Sequence, residues 1–265
     1  MCKIISIINQ KGGVGKTTTC INLAVSLAKM GKKVLAVDLD SQANLTMGLG
    51  FDDPEEIAVE LSDLLFIEIT KRRGQKPEPH NKTAFVLSAH GVDFIPSSLD
   101  LAALEMDLMN ATSRETVLKS ALEQFKADYD FILIDCLPSL GIFAINALTA
   151  SDEIIIPVQA QYFGAKGVES LLQNVVAVQT FLNPNLKILG ILITMLDGRS
   201  SFQKEVGAIV TENYAEYEIF NTTVPLSVEV SRQQSRGLPI VEVKNNRVSE
   251  AYNSLAAEVL SHEQQ

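Results

Sequence analysis

Ile4-Ile5-Ser6-Ile7-Ile8-Asn9-Gln10-Lys11-Gly12-Gly13-Val14-Gly15-Lys16-Thr17-Thr18 decides how this chain is read. An apolar run of strand type passes into a loop with three glycines, and the loop opens a helix-like segment. Strand, glycine loop and helix in that order are the context of a phosphate-binding loop. Glycine lets the backbone turn its N–H groups toward an anion. The helix that follows adds the positive end of its dipole. Lys16 brings a point charge for the outer phosphates and Thr17 a hydroxyl for Mg²⁺. Against the pattern G-x-x-x-x-G-K-[ST], Gln10 stands where the first glycine belongs, and an extra lysine, Lys11, precedes the glycine pair.

Outward from this loop, apolar runs alternate with helical patterns. Strands are expected at 4–8, 34–37, 92–95, 131–134, 154–158 and 188–193. Helices are expected at 16–30, 98–109, 112–126, 165–181, 202–214 and 249–260. The first helix shows Ile21, Ala24, Val25 and Ala28 on one face and ends at Gly31. Continuously apolar strands belong to a sheet buried on both faces. Alternation of this kind implies an α/β fold: a doubly wound, mostly parallel sheet flanked by helices, in a single domain over 1–265. The acidic stretch 52–60 and the Pro-broken polar stretch 71–79 read as less ordered. Its basic triplet Lys71-Arg72-Arg73 reads as a solvated face, with a nucleic-acid role as the alternative.

Composition narrows the classes. No apolar run reaches the ~18 residues of a membrane span, and Met1-Cys2-Lys3 leads into a strand with no visible signal peptide. Cys2, Cys20 and Cys136 form no Cys-x-x-Cys pair, and His80, His90 and His262 lack metal-ligand spacing. Structural thiols in a reducing cytoplasm are the expectation. The net charge of −10 argues against a surface that coats DNA throughout. Residues 199–265 carry six Lys or Arg against nine Glu, so any DNA contact is a local patch.

Lys11-Gly12-Gly13-Val14-Gly15-Lys16-Thr17-Thr18 resembles the deviant Walker A box of the ParA/MinD group of P-loop ATPases. Val37-Asp38-Leu39-Asp40-Ser41-Gln42-Ala43-Asn44 resembles that group's second motif, with Ser41 in place of the usual Pro. The run from Asp130 to Gly141 resembles its third, with Leu137 in place of the first Pro after Cys136. Gly91 to Leu101 and Val224 to Pro239 extend the similarity, toward ParA/Soj chromosome and plasmid partition ATPases, over nearly the whole chain.

The resemblance implies a weak Mg²⁺-dependent ATPase with ATP and Mg²⁺ as cofactors. Gly12, Gly13, Val14, Gly15, Lys16, Thr17 and Thr18 would hold the phosphates. Met195, Asp197 and Pro225 are candidates for the adenine end. Thr17, Asp40 and Asp135 would hold Mg²⁺, Asp135 through water. Asp40 would orient the attacking water, and Asp38 would sit nearer the Mg²⁺ and the loop. A strand-end or helix-cap reading stays open for Asp38, Asp40 and Asp135. Lys11 would reach the phosphates of the other subunit and stabilise transition-state charge from there. The active species would then be a two-fold homodimer with ATP at its interface.

Partition ATPases of this kind bind double-stranded DNA non-specifically as ATP dimers and are stimulated by a ParB-type centromere-binding protein. They are cytoplasmic and associate with the nucleoid. Glu229 stands where relatives carry a DNA-contacting arginine, so Arg199, Arg232, Arg236 and Arg247 are the candidate DNA patch, with a solvated surface as the alternative. A MinD-like membrane-cycling ATPase is the second reading. It is opposed by a tail with Glu258 and Glu263 and no Lys or Arg after Arg247. A relative that positions other cargo is the third.

Overall fold

The computed structural model describes residues 2–159, 164–197, 214 and 216–263, with side chains in the helix that begins at 164 described from 168 onward. Seven strands form one sheet: β1 (Lys3–Ile7), β2 (Val34–Leu39), β3 (Leu87–Ala89), β4 (Val92–Ile95), β5 (Phe131–Cys136), β6 (Glu153–Gln159) and β7 (Lys187–Thr194). Their order is β3-β4-β2-β5-β1-β6-β7, and every pairing is parallel except β3 with β4. The runs Val34–Leu39 and Phe131–Cys136 are buried at every position, as strands covered on both faces must be.

On one face lie α1 (Lys16–Lys29), α2 (Asn44–Gly48) and α10 (Arg247–His262). On the other lie α3 (Leu61–Arg72), α4 (Asp100–Ala103), α5 (Glu105–Met109), α6 (Val117–Leu122), α7 (Ile142–Ala150) and α8 (Gly164–Phe181). A short α9 (Val228–Gln234) precedes α10. Helix α1 is buried on more than the expected face, because α10 packs along the side turned from the sheet: Tyr252 Oη and Thr19 Oγ1 lie 3.3 Å apart, and Ser26 donates to Asn253 at 2.9 Å.

The structure departs from the sequence reading in several places. Leu61–Arg72 is a helix, closed by a capping box in which Glu60 and Asp63 bond each other's backbone. Helix α7 and strand β3 also lie outside the expected elements. The expected helix 98–109 breaks at Leu104 into α4 and α5, and 112–126 is a 3₁₀–α–3₁₀ succession. Arg72 causes part of this, since its guanidinium bonds the carbonyls of Thr112, Ser113 and Thr116 and the hydroxyls of Thr116 and Ser120. The basic triplet is therefore engaged within the protein: Lys71 pairs with Glu68 and Arg73 with Asp107. The expected helix 202–214 falls almost wholly outside the described residues.

β1 lies between β5 and β6: the chain runs from β1 to β2 on the β5 side and later crosses from β5 to β6 on the other, so the strand order reverses at β1. The crevice outside the carboxyl ends of strands at such a point is where open α/β sheets take ligands.

Candidate nucleotide-binding site

The loop between β1 and α1 occupies that crevice. Gly13 and Gly15 have φ of +72° and +89°, a left-handed backbone that favours glycine at both positions. The loop is pinned from outside: Asn9 donates to the Pro157 carbonyl at 2.8 Å, Lys11 N–H donates to Asn9 Oδ1 at 3.0 Å, and Thr194 Oγ1 donates to the Val14 carbonyl at 2.8 Å. Val14 is buried, so it offers backbone only, while Gly12 and Gly13 are exposed.

A cleft of about 490 Å³ opens above the loop, lined by Gly12, Gly13, Gly15, Lys16, Thr17, Thr18, Asp40, Asn44, Met47, Gly48, Pro138, Met195 and Gln234. Lys16 is largely buried at its base and donates to the Lys11 carbonyl at 3.2 Å. Burial lowers its pKa, against the pull of Asp135, Cys136 and Asp40, which favour the charged form.

Two carboxylates end neighbouring strands in register, Asp38 of β2 opposite Asp135 of β5. Both are fully buried. Asp38 is spoken for. Its Oδ2 accepts from the N–H and hydroxyl of Thr46 at 2.9 and 2.7 Å, and its Oδ1 accepts from Asp40 N–H at 3.3 Å. It therefore anchors the start of α2 and the turn that carries Asp40. Burial pushes its pKa up to about 7, with the Thr46 and Asp40 bonds opposing. Asp135 is the opposite case, for neither of its oxygens has a hydrogen-bond partner among the described residues. Burial, with Asp38 adding repulsion, drives its pKa well up, and the neighbouring Thr17 hydroxyl and Lys16 ammonium pull the other way.

A buried carboxylate without a partner is costly and calls for a cation. The donor set of Asp135, the Thr17 hydroxyl and the Asp40 carboxylate is all oxygen, the chemistry Mg²⁺ takes. Asp40 lines the cleft and accepts from Gln42 N–H at 3.0 Å. The residues present thus fit the ion.

Of the expected site residues, Gly12, Gly13, Gly15, Lys16, Thr17, Thr18, Asp40 and Met195 meet in the cleft, with Asp135 beneath them. Met195 has φ +54° at the end of β7. Leu196 bridges to Pro225, and Leu196 N–H donates to the Val224 carbonyl at 3.0 Å, which brings the two late candidate segments together. Lys11, Asp197 and Pro225 stand beside the cleft in sequence or contact without lining it. Asn44, Pro138 and Gln234 sit inside stretches already singled out, Gln234 with no role assigned to it there, whereas Met47 had no signal in the sequence. Arg199 lies outside the described residues. Arg232, Arg236 and Arg247 are exposed, but Arg232 is paired with Glu229 at 2.6 Å.

A model of the AAA domain family matches residues 2–188. The chain is 42% identical to the sporulation initiation inhibitor protein Soj of Bacillus subtilis, over 99% of this chain and 100% of that one. It is 40% identical to the chromosome-partitioning ATPase Soj of Treponema pallidum, over the whole of both chains. Among solved structures, cobyrinic acid a,c-diamide synthase from Mycobacterium smegmatis with bound ADP and magnesium is similar at a TM-score of 0.85. Its identity is 32%, covering 100% of this chain and 96% of that one.

Proposed function

The chain belongs to the Soj/ParA family of partition ATPases, and from that membership we propose a Mg²⁺- and ATP-driven DNA partition switch. ATP binding assembles a homodimer that holds double-stranded DNA without regard to sequence. Slow hydrolysis, stimulated by a ParB-type centromere-binding protein, releases it. On this reading the protein is cytoplasmic and associates with the nucleoid.

The observation that carries the reading is Asp135, a fully buried carboxylate with no hydrogen-bond partner among the described residues, under a phosphate loop that already holds Lys16 and Thr17 at the same cleft. Mg²⁺, when bound, neutralises charge on the outer phosphates. Asp135, Thr17 and Asp40 are the residues that would hold it. The loop N–H groups and Lys16 bind the triphosphate, and Lys16 exchanges its bond to the Lys11 carbonyl for phosphate oxygen. Asp40 orients water toward the terminal phosphate. Lys11, half-buried at the rim with its own backbone carbonyl already used by Lys16, extends its ammonium to the partner's phosphates.

The membrane-cycling alternative has less support. The apolar side chains of α10, Val248, Tyr252, Leu255, Ala256 and Val259, are buried within the protein.

Retention on random-sequence DNA at about 50–200 mM salt tests the proposal. The wild type is compared with ATP, ADP and no nucleotide, beside Lys16→Ala with ATP. Retention is expected only for the wild type with ATP, and it should fade as salt rises. Retention independent of nucleotide, or equal for Lys16→Ala, refutes it.

A further inference from the structure

Helix α9 is fastened to the nucleotide cleft at three places. At its start, Leu226 N–H donates to the Leu196 carbonyl at 3.2 Å, one residue after the cleft-lining Met195. At its end, Gln234 Nε2 donates to Thr18 Oγ1 at 3.0 Å, and both residues line the cleft. Just beyond, Gly237 has φ +64° and packs so tightly on Gly50 that a Cβ there would stand 2.4 Å from the Gly50 Cα and 3.4 Å from the Met47 carbonyl. Met47 is itself a cleft wall. The helix is also tied internally, since Glu229 accepts from both Gln233 at 2.7 Å and Arg232 at 2.6 Å. Its outer side carries Val228, 81% exposed, and the Arg232 side chain, 60% exposed.

Gln234 is the only polar side chain of α9 that lines the cleft. Its bond to Thr18 uses one N–H, and its second N–H and its carboxamide oxygen have no partner among the described residues. Lys16 serves the outer phosphates, and Thr18 lies two residues farther into the helix, toward the α-phosphate and sugar. A carboxamide is suited to that junction, where it can donate to a phosphate oxygen and accept from a ribose hydroxyl.

We infer that Gln234 is a nucleotide-binding residue through which α9 reads occupancy of the cleft at the α-phosphate and ribose end. The inference rests on the Mg-ATP reading above. ATP and ADP are identical at that end, so Gln234 registers either nucleotide. Discrimination between them falls to the groups around the terminal phosphate. The exposed face of α9 thus responds to filling of the site, separately from dimer formation.

The test uses the full chain as wild type, Gln234→Ala and Gln234→Glu. Calorimetry with Mg-ATP and Mg-ADP is paired with hydrogen exchange of the amides of 226–238. Gln234→Ala should weaken ATP and ADP by the same factor, about 3–10-fold, the range of one neutral hydrogen bond. Gln234→Glu should weaken both more, by placing a carboxylate beside phosphate. Both nucleotides should slow exchange across α9 in the wild type but not in Gln234→Ala at matched saturation. The inference is overturned by equal affinities for wild type and Gln234→Ala, by a loss confined to ATP, or by wild-type exchange that ignores nucleotide. Wild type that binds neither nucleotide overturns the phosphate-site reading and the inference with it. Wild type that binds both while Gln234→Ala is unaffected overturns the inference alone.

Discussion

Asp38→Ala separates a carboxylate that builds the site from one that holds the ion. In the structure Asp38 takes both donors of Thr46 and the N–H of Asp40, and Thr46 is fully buried. Alanine leaves those donors without their acceptor. One buried unsatisfied donor costs about 1–3 kcal/mol. The Thr46 hydroxyl is free to turn, and loss of a buried charge beside Asp135 offsets part of the cost, so a net of about 2–3 kcal/mol is expected. For a chain of this size that is a fall of about 4–10 °C in melting temperature. Asp38→Asn keeps one oxygen for Thr46 and removes the charge, which adds a pH signature. With the pKa raised by burial from 3.8 to about 7, the folded state binds this proton more tightly than the unfolded state. The stability it contributes is present at low pH and lost as pH rises through about 7. Asparagine has no such loss, so its melting temperature relative to wild type should climb from pH 5 to pH 8. Calorimetric melting in Mg²⁺-free buffer reads both effects. An Asp38→Ala melt within about 2 °C of wild type, or an asparagine difference that ignores pH, would refute the anchoring role.

The remaining predictions concern the catalytic and DNA residues. Asp40→Ala should bind ATP, lose hydrolysis and accumulate as a dimer in light scattering with ATP; a monomer that still hydrolyses ATP sinks the water-orienting role. Lys11→Ala should lower turnover and the ATP-dimer fraction while monomer affinity for ATP falls far less, and unchanged values of both would rule out action across the interface. On DNA, Arg236→Ala and Arg247→Ala should each flatten the salt dependence by about one phosphate contact, a slope change of ~0.9. Arg232→Ala should do less, because Glu229 already offsets that charge; the reverse order would move the patch to α9.

Much of the scaffold was legible in the sequence, for a stated reason. Parallel strands covered on both faces must be apolar throughout, and all six expected strands stand where their apolar runs do. Helix α3 carried its own signals, with Leu61, Leu64, Leu65 and Ile69 at helical spacing after a Glu60–Asp63 cap, but the β-branched run of Ile67, Ile69 and Thr70 and the basic triplet masked them. The break at Leu104 had no local signal, and neither did the 3₁₀ turns about 112–126, which Arg72 holds from a distance in the chain through Thr112, Ser113, Thr116 and Ser120.

At the site the same division holds. Phosphate-loop chemistry is local: glycine backbone, Lys16 and Thr17 are set by neighbours in the chain, and sequence alone determined them. The resemblance gave Asp38, Asp40 and Asp135 different roles, but from the sequence a strand-end or helix-cap reading stayed open for all three. Only the tertiary structure decided that Asp38 is engaged by Thr46 and by the Asp40 N–H while Asp135 beside it has no hydrogen-bond partner among the described residues. Only it brought Gln234, more than two hundred residues away in the chain, onto Thr18. A residue's chemistry is written in its identity, but whether its hydrogen bonds are already spent depends on which distant segments fold against it.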